Sequence, residues 1–204
     1  MPLSRPLSQF ALVLAGILVF VTFSAEGCSQ EQMVYQRPVA ELNAKAKQLM
    51  DGGQPQEAIG RLESALDLLP DEPATKYNLA VAYQQAGQYD QSLALFDDLL
   101  KHNEGDKNTL LKSMAVTYEA QADDAIAKSQ AGPAPAPPKL SDADVKALTG
   151  KAIDNYKIAI QYYQKAADGL GNTEAASQLK SQADALNQKI TQLSSGKPGG
   201  NNQS

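Results

Sequence analysis

Three acidic pairs, one histidine and one cysteine are the residues of this chain that could support chemistry. Asp97-Asp98, Asp123-Asp124 and Asp142/Asp144 would suit proton transfer or cation binding if each converged with a partner of matched acidity. None is expected to pair with a histidine, and His102 is the only one. Cys28 is the only cysteine, so no internal disulfide can form. Metal sites of the usual kinds draw on three or four convergent ligands, and no such spacing occurs. Nor is there a nucleophile motif or a glycine-rich phosphate loop. The acidic pairs read as solvated helix faces, and His102 as a helix-end residue that bonds carbonyls or faces water. The expectation is a non-catalytic chain with no metal and no cofactor. The net charge is −5 and no basic cluster occurs, which argues against nucleic-acid binding, since that needs a positive footprint.

The elements around these residues are helical hairpins. Pro73 to Glu104 reads as two short amphipathic helices separated by Ala86-Gly87-Gln88. Leu79, Ala80 and Tyr83 share one face of the first. Tyr89, Ser92, Leu93, Phe96, Leu99 and Leu100 recur at helical spacing in the second. Small residues alternate with large ones, which lets two helices approach closely and interlock. The pattern recurs 34 residues upstream: Ala46, Leu49, Gly53, Ala58, Leu62 and Ala65 stand where Ala80, Tyr83, Gly87, Ser92, Phe96 and Leu99 stand later.

A 34-residue period with this code resembles the tetratricopeptide repeat (TPR). Pro70 closes the first copy where that family often has proline, while Glu104 holds the place in the second. Leu42 and Lys76 stand where the family often has tryptophan. The resemblance implies an all-α fold, a short solenoid of stacked hairpins with two clear repeats.

A third repeat begins at Asn108 to Gln121, where Ala115 and Tyr118 follow Ala80 and Tyr83 by 35 residues. Its second helix is delayed. Residues 122–140 read as a Pro/Ala-rich insertion, a semi-rigid spacer in the polyproline style. Ser141 and Asp144 then make a capping-box start for a helix over about 142–168. In it Tyr156, Ala159, Tyr163 and Ala166 repeat the spacing of Tyr89, Ser92, Phe96 and Leu99. This predicts that the interrupted helices still pair, with Tyr118 near Tyr163. Thr173 caps a final helix to about Leu193, whose stripe of Leu179, Ala183, Leu186, Ile190 and Leu193 suits a capping helix over the last repeat, as solenoids require, or a homodimer through 173–194. Residues 195–204 read as a disordered tail.

The first 27 residues read as a signal peptide. Arg5 precedes a fourteen-residue apolar run, Phe10 to Phe23, and small residues follow. At about 1.5 Å per residue the run falls short of a ~30 Å hydrocarbon layer. Gly27-Cys28 resembles a bacterial lipoprotein cleavage site, which implies lipidation at Cys28. Ala25 and Glu26 are unusual in such a site, and plain secretory cleavage also fits. Residues 28–37 read as a tether, and Pro38 as the first residue of a domain over 38–194.

By the family resemblance, the concave side of the solenoid would carry Asn43, Lys47 and Met50, then Tyr77, Asn78, Val81 and Gln85, then Lys112 and Val116. Asn and Gln suit a peptide backbone, and Tyr77 and Val81 an apolar contact. Lys47 and Lys112 are the only nearby cations, so the family's basic clamp for acidic C-terminal peptides is not reproduced. The expected function is a protein-interaction scaffold binding a partner protein or peptide in this groove, exported and lipid-anchored at a bacterial outer membrane facing the periplasm, for envelope complex assembly. The alternatives are a structural module that self-associates through the last helix, and a soluble periplasmic repeat protein.

Overall fold

A computed structural model describes residues 27–130 and 140–195. The signal peptide and the 196–204 part of the tail lie outside them, as does the Pro-rich centre of the insertion. Seven helices make up the described residues: α1 (Gly27–Asp51), α2 (Pro55–Leu68), α3 (Pro73–Gln85), α4 (Tyr89–Lys101), α5 (Lys107–Gln130), α6 (Asp142–Leu170) and α7 (Glu174–Ser194). None is long and apolar enough to cross a membrane. Consecutive helices pack in antiparallel hairpins, α1 on α2, α3 on α4 and α5 on α6, and α7 closes the array against α6.

The small/large code sets the packing. Ala46, Ala80 and Ala115 are fully buried at equivalent points of α1, α3 and α5. Ala58, Ser92 and Ala159 are their small counterparts on the second helices, also fully buried. Leu62, Phe96 and Tyr163 supply the large residue between. Tight helix approach at the small positions leaves room that only the large side chain fills.

The first two hairpins turn in the same way. Gln54 N donates to Leu49 O and Gly53 N to Met50 O; one repeat on, Gln88 N donates to Tyr83 O and Gly87 N to Gln84 O. Gly53 and Gly87 sit at φ +71 and +74, the left-handed shape that ends a helix and that glycine adopts without strain. Pro55 begins the helix after the first of these turns and Pro73 begins α3, where a missing N–H costs nothing. After α4 both Asn103, at φ 55, and Gly105, at φ 95, are left-handed.

Two boundaries differ from expectation. Residues 28–37 are not an irregular tether: α1 begins at Gly27 and runs through Pro38. A proline here forfeits one helical hydrogen bond, and because residues 34–38 are exposed, water can serve the freed carbonyl. The insertion is also shorter than 122–140. Ala122 stands 35 residues after Gly87, and with no glycine to turn on, α5 continues to Gln130 with Ala122 and Ala125 buried. Alanine has the strongest helix preference of all residues, and this stretch is rich in it. On the partner strand of the hairpin, α6 starts well before Tyr156, at a capping box in which Ser141 and Asp144 bond each other's backbone N–H.

The delayed helices do pair. Tyr118 stacks on Tyr162, centroids 5.7 Å apart and planes at 12°. Tyr163, the neighbour expected for Tyr118, donates its hydroxyl to Glu119 at 2.9 Å. At the far end, a Cβ on Gly169 would lie 2.1 Å from the Asn108 side chain, so any other residue there would require that side chain to swing aside. Thr173 caps α7 by accepting from Ala176 N at 3.1 Å.

The stripe on α7 is used within the chain. Leu179, Ala183 and Leu186 are buried in one core with α5 and α6, and Ile190 and Leu193 pack at its edge. This is the capping arrangement. A homodimer through 173–194 built on that stripe is not supported, because its apolar face is already covered.

Candidate functional site

The first helices define the candidate face. α1 touches α3 and α3 touches α5, while the second helices α2 and α4 make at most a marginal contact. An array drawn together on one side and spread on the other is concave on the tighter side, as helical-repeat solenoids are. α1, α3 and α5 therefore line the inner face.

Two of the predicted groove residues bond each other across repeats. Asn43 Nδ2 donates to Val39 O at 3.0 Å and to Thr75 Oγ1 at 2.7 Å, and Asn78 Nδ2 donates to Asn43 Oδ1 at 2.7 Å. The Val39 carbonyl can only accept, which fixes the nitrogen end of Asn43. Asn43 must then offer its oxygen to Asn78, and Asn78 must answer with its nitrogen. What remains on Asn78 is Oδ1, an acceptor with no partner among the described residues, and the second N–H of Nδ2. Thr75, fully buried, passes its own hydroxyl to the Glu72 carboxylate, which also caps α3 by accepting from Thr75 N.

Tyr77 is likewise occupied with structure. Its ring meets Phe96 edge-on at 5.6 Å, and its hydroxyl lies 3.1 Å from Ser113 Oγ on α5. Met50 and Val81 rest against the core with part of their surface. Lys47, Gln85, Lys112 and Val116 are exposed, and Val116 is one of few large apolar side chains to be so. The nine predicted residues thus divide into some that clamp the helices together and others that face solvent.

Sequence reasoning missed what lies beside Asn43 and Asn78. A pocket of about 770 Å³ opens between α1 and the α2–α3 turn, floored by Val39, Leu69, Pro70 and Pro73 and edged by Asp71 and Glu72. Close by, Lys76 is enclosed by Asp98 at 3.3 Å, Asp71 at 3.5 Å and Glu104 at 3.7 Å. Burial would lower the Lys76 ammonium, but the three carboxylates outweigh it and hold it above its ordinary value. The Asp71-Glu72 pair flanked by Pro70 and Pro73 is the sequence signal that could have pointed to it.

A second polar group ties the last three helices. Tyr156 donates to Asp123, and Lys189 of α7 reaches Asp123 at 3.1 Å and Glu119 at 3.6 Å, with its ammonium 5.3 Å from the centre of the Tyr156 ring. Burial and the adjacent carboxylates push the Tyr156 and Tyr163 hydroxyls well above their ordinary values. These phenols stay neutral and donate, as a buried tyrosine must. Asp123 is therefore a structural acceptor rather than part of a merely solvated pair. Asp97 and Asp124 form exposed pairs with Lys101 and Lys128 one turn on. His102 closes α4, its Nδ1 2.9 Å from Asp98 O and 3.2 Å from the Asp98 carboxylate, so one of the acidic pairs does meet the histidine, one helical turn away. Among the described residues no group of three or more potential ligands could hold a metal ion.

The tetratricopeptide repeat family matches residues 49–113. A TPR repeat-containing protein of Bacillus subtilis strain 168, YvcD, is 30% identical over 84 residues, 41% of this chain and 17% of that protein. The chain thus matches only a small part of that relative's length. No solved structure matches. The 34-residue code, the glycine-turned hairpins stacked through buried alanines and the family match from the end of α1 into α5 show that residues 49–113 carry tetratricopeptide repeats.

Proposed function

We propose that this chain is a protein-interaction scaffold that holds an extended segment of a partner protein along the inner face of α1, α3 and α5, and that it does so while anchored through lipid on Cys28 at a bacterial envelope membrane. TPR arrays generally bind proteins, and no catalytic constellation is found among the described residues. The observation that supports the reading is the mutual contact of the first helices, on which Lys47, Gln85, Lys112 and Val116 are exposed. Affinity at such a face comes from a few central contacts rather than from total area.

Export and anchoring rest on the leader and on Cys28, and envelope complex assembly follows from that location. The two halves are tested together. The tagged full-length chain is captured from native membranes beside a Lys112→Glu, Val116→Asp variant, both changes being at exposed positions. A partner recovered with the wild type and reduced at least about fivefold with the variant supports the groove; equal recovery overturns it. Metabolic labelling with a palmitate analogue tests the anchor: label that vanishes in Cys28→Ala supports it. A wild type that carries no label and fractionates as a soluble periplasmic protein returns the choice to plain secretory cleavage.

A further inference from the structure

The pocket between α1 and the α2–α3 turn has a chemistry of its own. Its floor is apolar, and its charged edge is acidic. Asp71 is 93% exposed at its side chain, and Glu72 stands next to it. Asn78 presents its oxygen, the atom left without a partner once its amide nitrogen is turned toward Asn43. No lysine or arginine lines the pocket. Lys76, close by, is 13% exposed and already divided among three carboxylates, so the charge around it stays negative. The start of α3 is capped from within the chain, by Glu72 accepting from the Thr75 amide.

We propose that this pocket receives a basic side chain, lysine or arginine, from an extended segment of a partner protein, with an apolar neighbour of that residue lying on the Val39–Leu69–Pro70 floor. The proposal rests on the groove reading above and specifies its ligand. The cation would settle between Asp71 and Asn78 Oδ1, both of which can only accept from it, and the stem of the side chain would lie along the apolar floor, as long basic side chains do. This is the reverse of recognising an acidic peptide terminus, for which the lining offers no cation.

The test uses the full-length chain in detergent and three fluorescein-labelled, C-amidated nonapeptides with a Leu-X-Leu centre in a Gly/Ser context, where X is arginine, norleucine or glutamate. Anisotropy titration should give the arginine peptide at least about fivefold tighter binding than the norleucine peptide, with glutamate weakest, because the pairing is electrostatic. The preference should shrink as salt is raised from about 0.05 to 0.5 M. Asp71→Asn, at a fully solvated position, should reduce the arginine preference about threefold or more with an unchanged melting curve. Equal binding of arginine and norleucine, a preference indifferent to Asp71→Asn, or no binding of the arginine peptide up to about 1 mM would each overturn the pocket assignment. If the preference is instead lost in Val116→Asp, the pocket assignment fails while the groove reading stands. If the capture experiment also shows no dependence on groove residues, both fail.

Discussion

The α3–α4 and α5–α6 hairpins are built on the same interior and end differently. In both, a small residue on the first helix faces a small residue on the second, Ala80 with Ser92 and Ala115 with Ala159, all fully buried. The large filler is Phe96 in one and Tyr163 in the other. Yet α3 and α4 are 13 residues each, whereas α5 and α6 are 24 and 29. The small/large code therefore sets where two helices cross and in what register. Hairpin length is set separately, by whether a residue able to adopt a left-handed backbone stands after the first helix. Gly87 does and Ala122 does not. The longer hairpin also replaces an apolar filler with phenols, and it meets the demand of their hydroxyls with Glu119 and Asp123.

The largest break in this comparison is Phe96→Ala. It empties a fully buried site and should cost about 3–5 kcal/mol in urea unfolding. Tyr83→Ala, at a half-buried site whose hydroxyl reaches Glu63 at the surface, should cost nearer 1–2 kcal/mol. Equal losses would mean that the two positions are not inner and outer. In the long hairpin, the Tyr156→Phe, Tyr163→Phe double variant should lose roughly 1–3 kcal/mol near neutral pH. The alkaline limb sharpens this. Both phenols are raised above their ordinary value of 10.0 by burial and nearby carboxylates, so the neutral form is favoured in the folded state. That stabilisation is complete below about pH 10 and is lost as pH rises above it. The wild type should therefore lose stability more steeply than the double variant between about pH 9.5 and 11.

Gly87→Ala probes the turn itself. A Cβ there would meet nothing within 4 Å, so any cost is backbone strain, about 1–2 kcal/mol. The change should leave α4 on α3 in circular dichroism and shift only the unfolding midpoint. The smallest effect is expected from replacing residues 131–139 with a Gly/Ser segment of equal length. α6 carries its own capping box, and the paired helices hold each other through Tyr118 and Tyr162. The melting midpoint should move by no more than about 2 °C; a collapse of the far-ultraviolet signal would show that the tract helps to fold the hairpin.

The repeating parts were legible because identity at a fixed period survives without coordinates: Ala46/Ala80/Ala115 and Gly53/Gly87 announce pairing and turns directly. The capping box at Ser141 and the cap at Thr173 were legible for the same local reason. What escaped depends on competition. Pro38 suggested a helix start, but a single missing donor at an exposed position is a smaller cost than ending α1 there. The alanines after Gln121 were grouped with the prolines beyond them, although alanine alone favours continuing the helix. The Asn43–Asn78 bond and the Lys189–Asp123 contact join residues on different helices, and no local rule orders such pairs. A buried tyrosine at position 156 or 163 did imply an acceptor somewhere, and only the folded chain names it.

The unbroken run of α1 from Gly27 to Asp51 has a mechanical consequence. Its 25 residues measure about 37 Å end to end, and its later half is already locked into the first repeat. Anything attached at Cys28 would thus hold the domain on a mast instead of a rope. A rope lets a binding face search in all directions; a mast fixes its height and leaves mainly tilt, so the angle at the base would decide which neighbours come within reach.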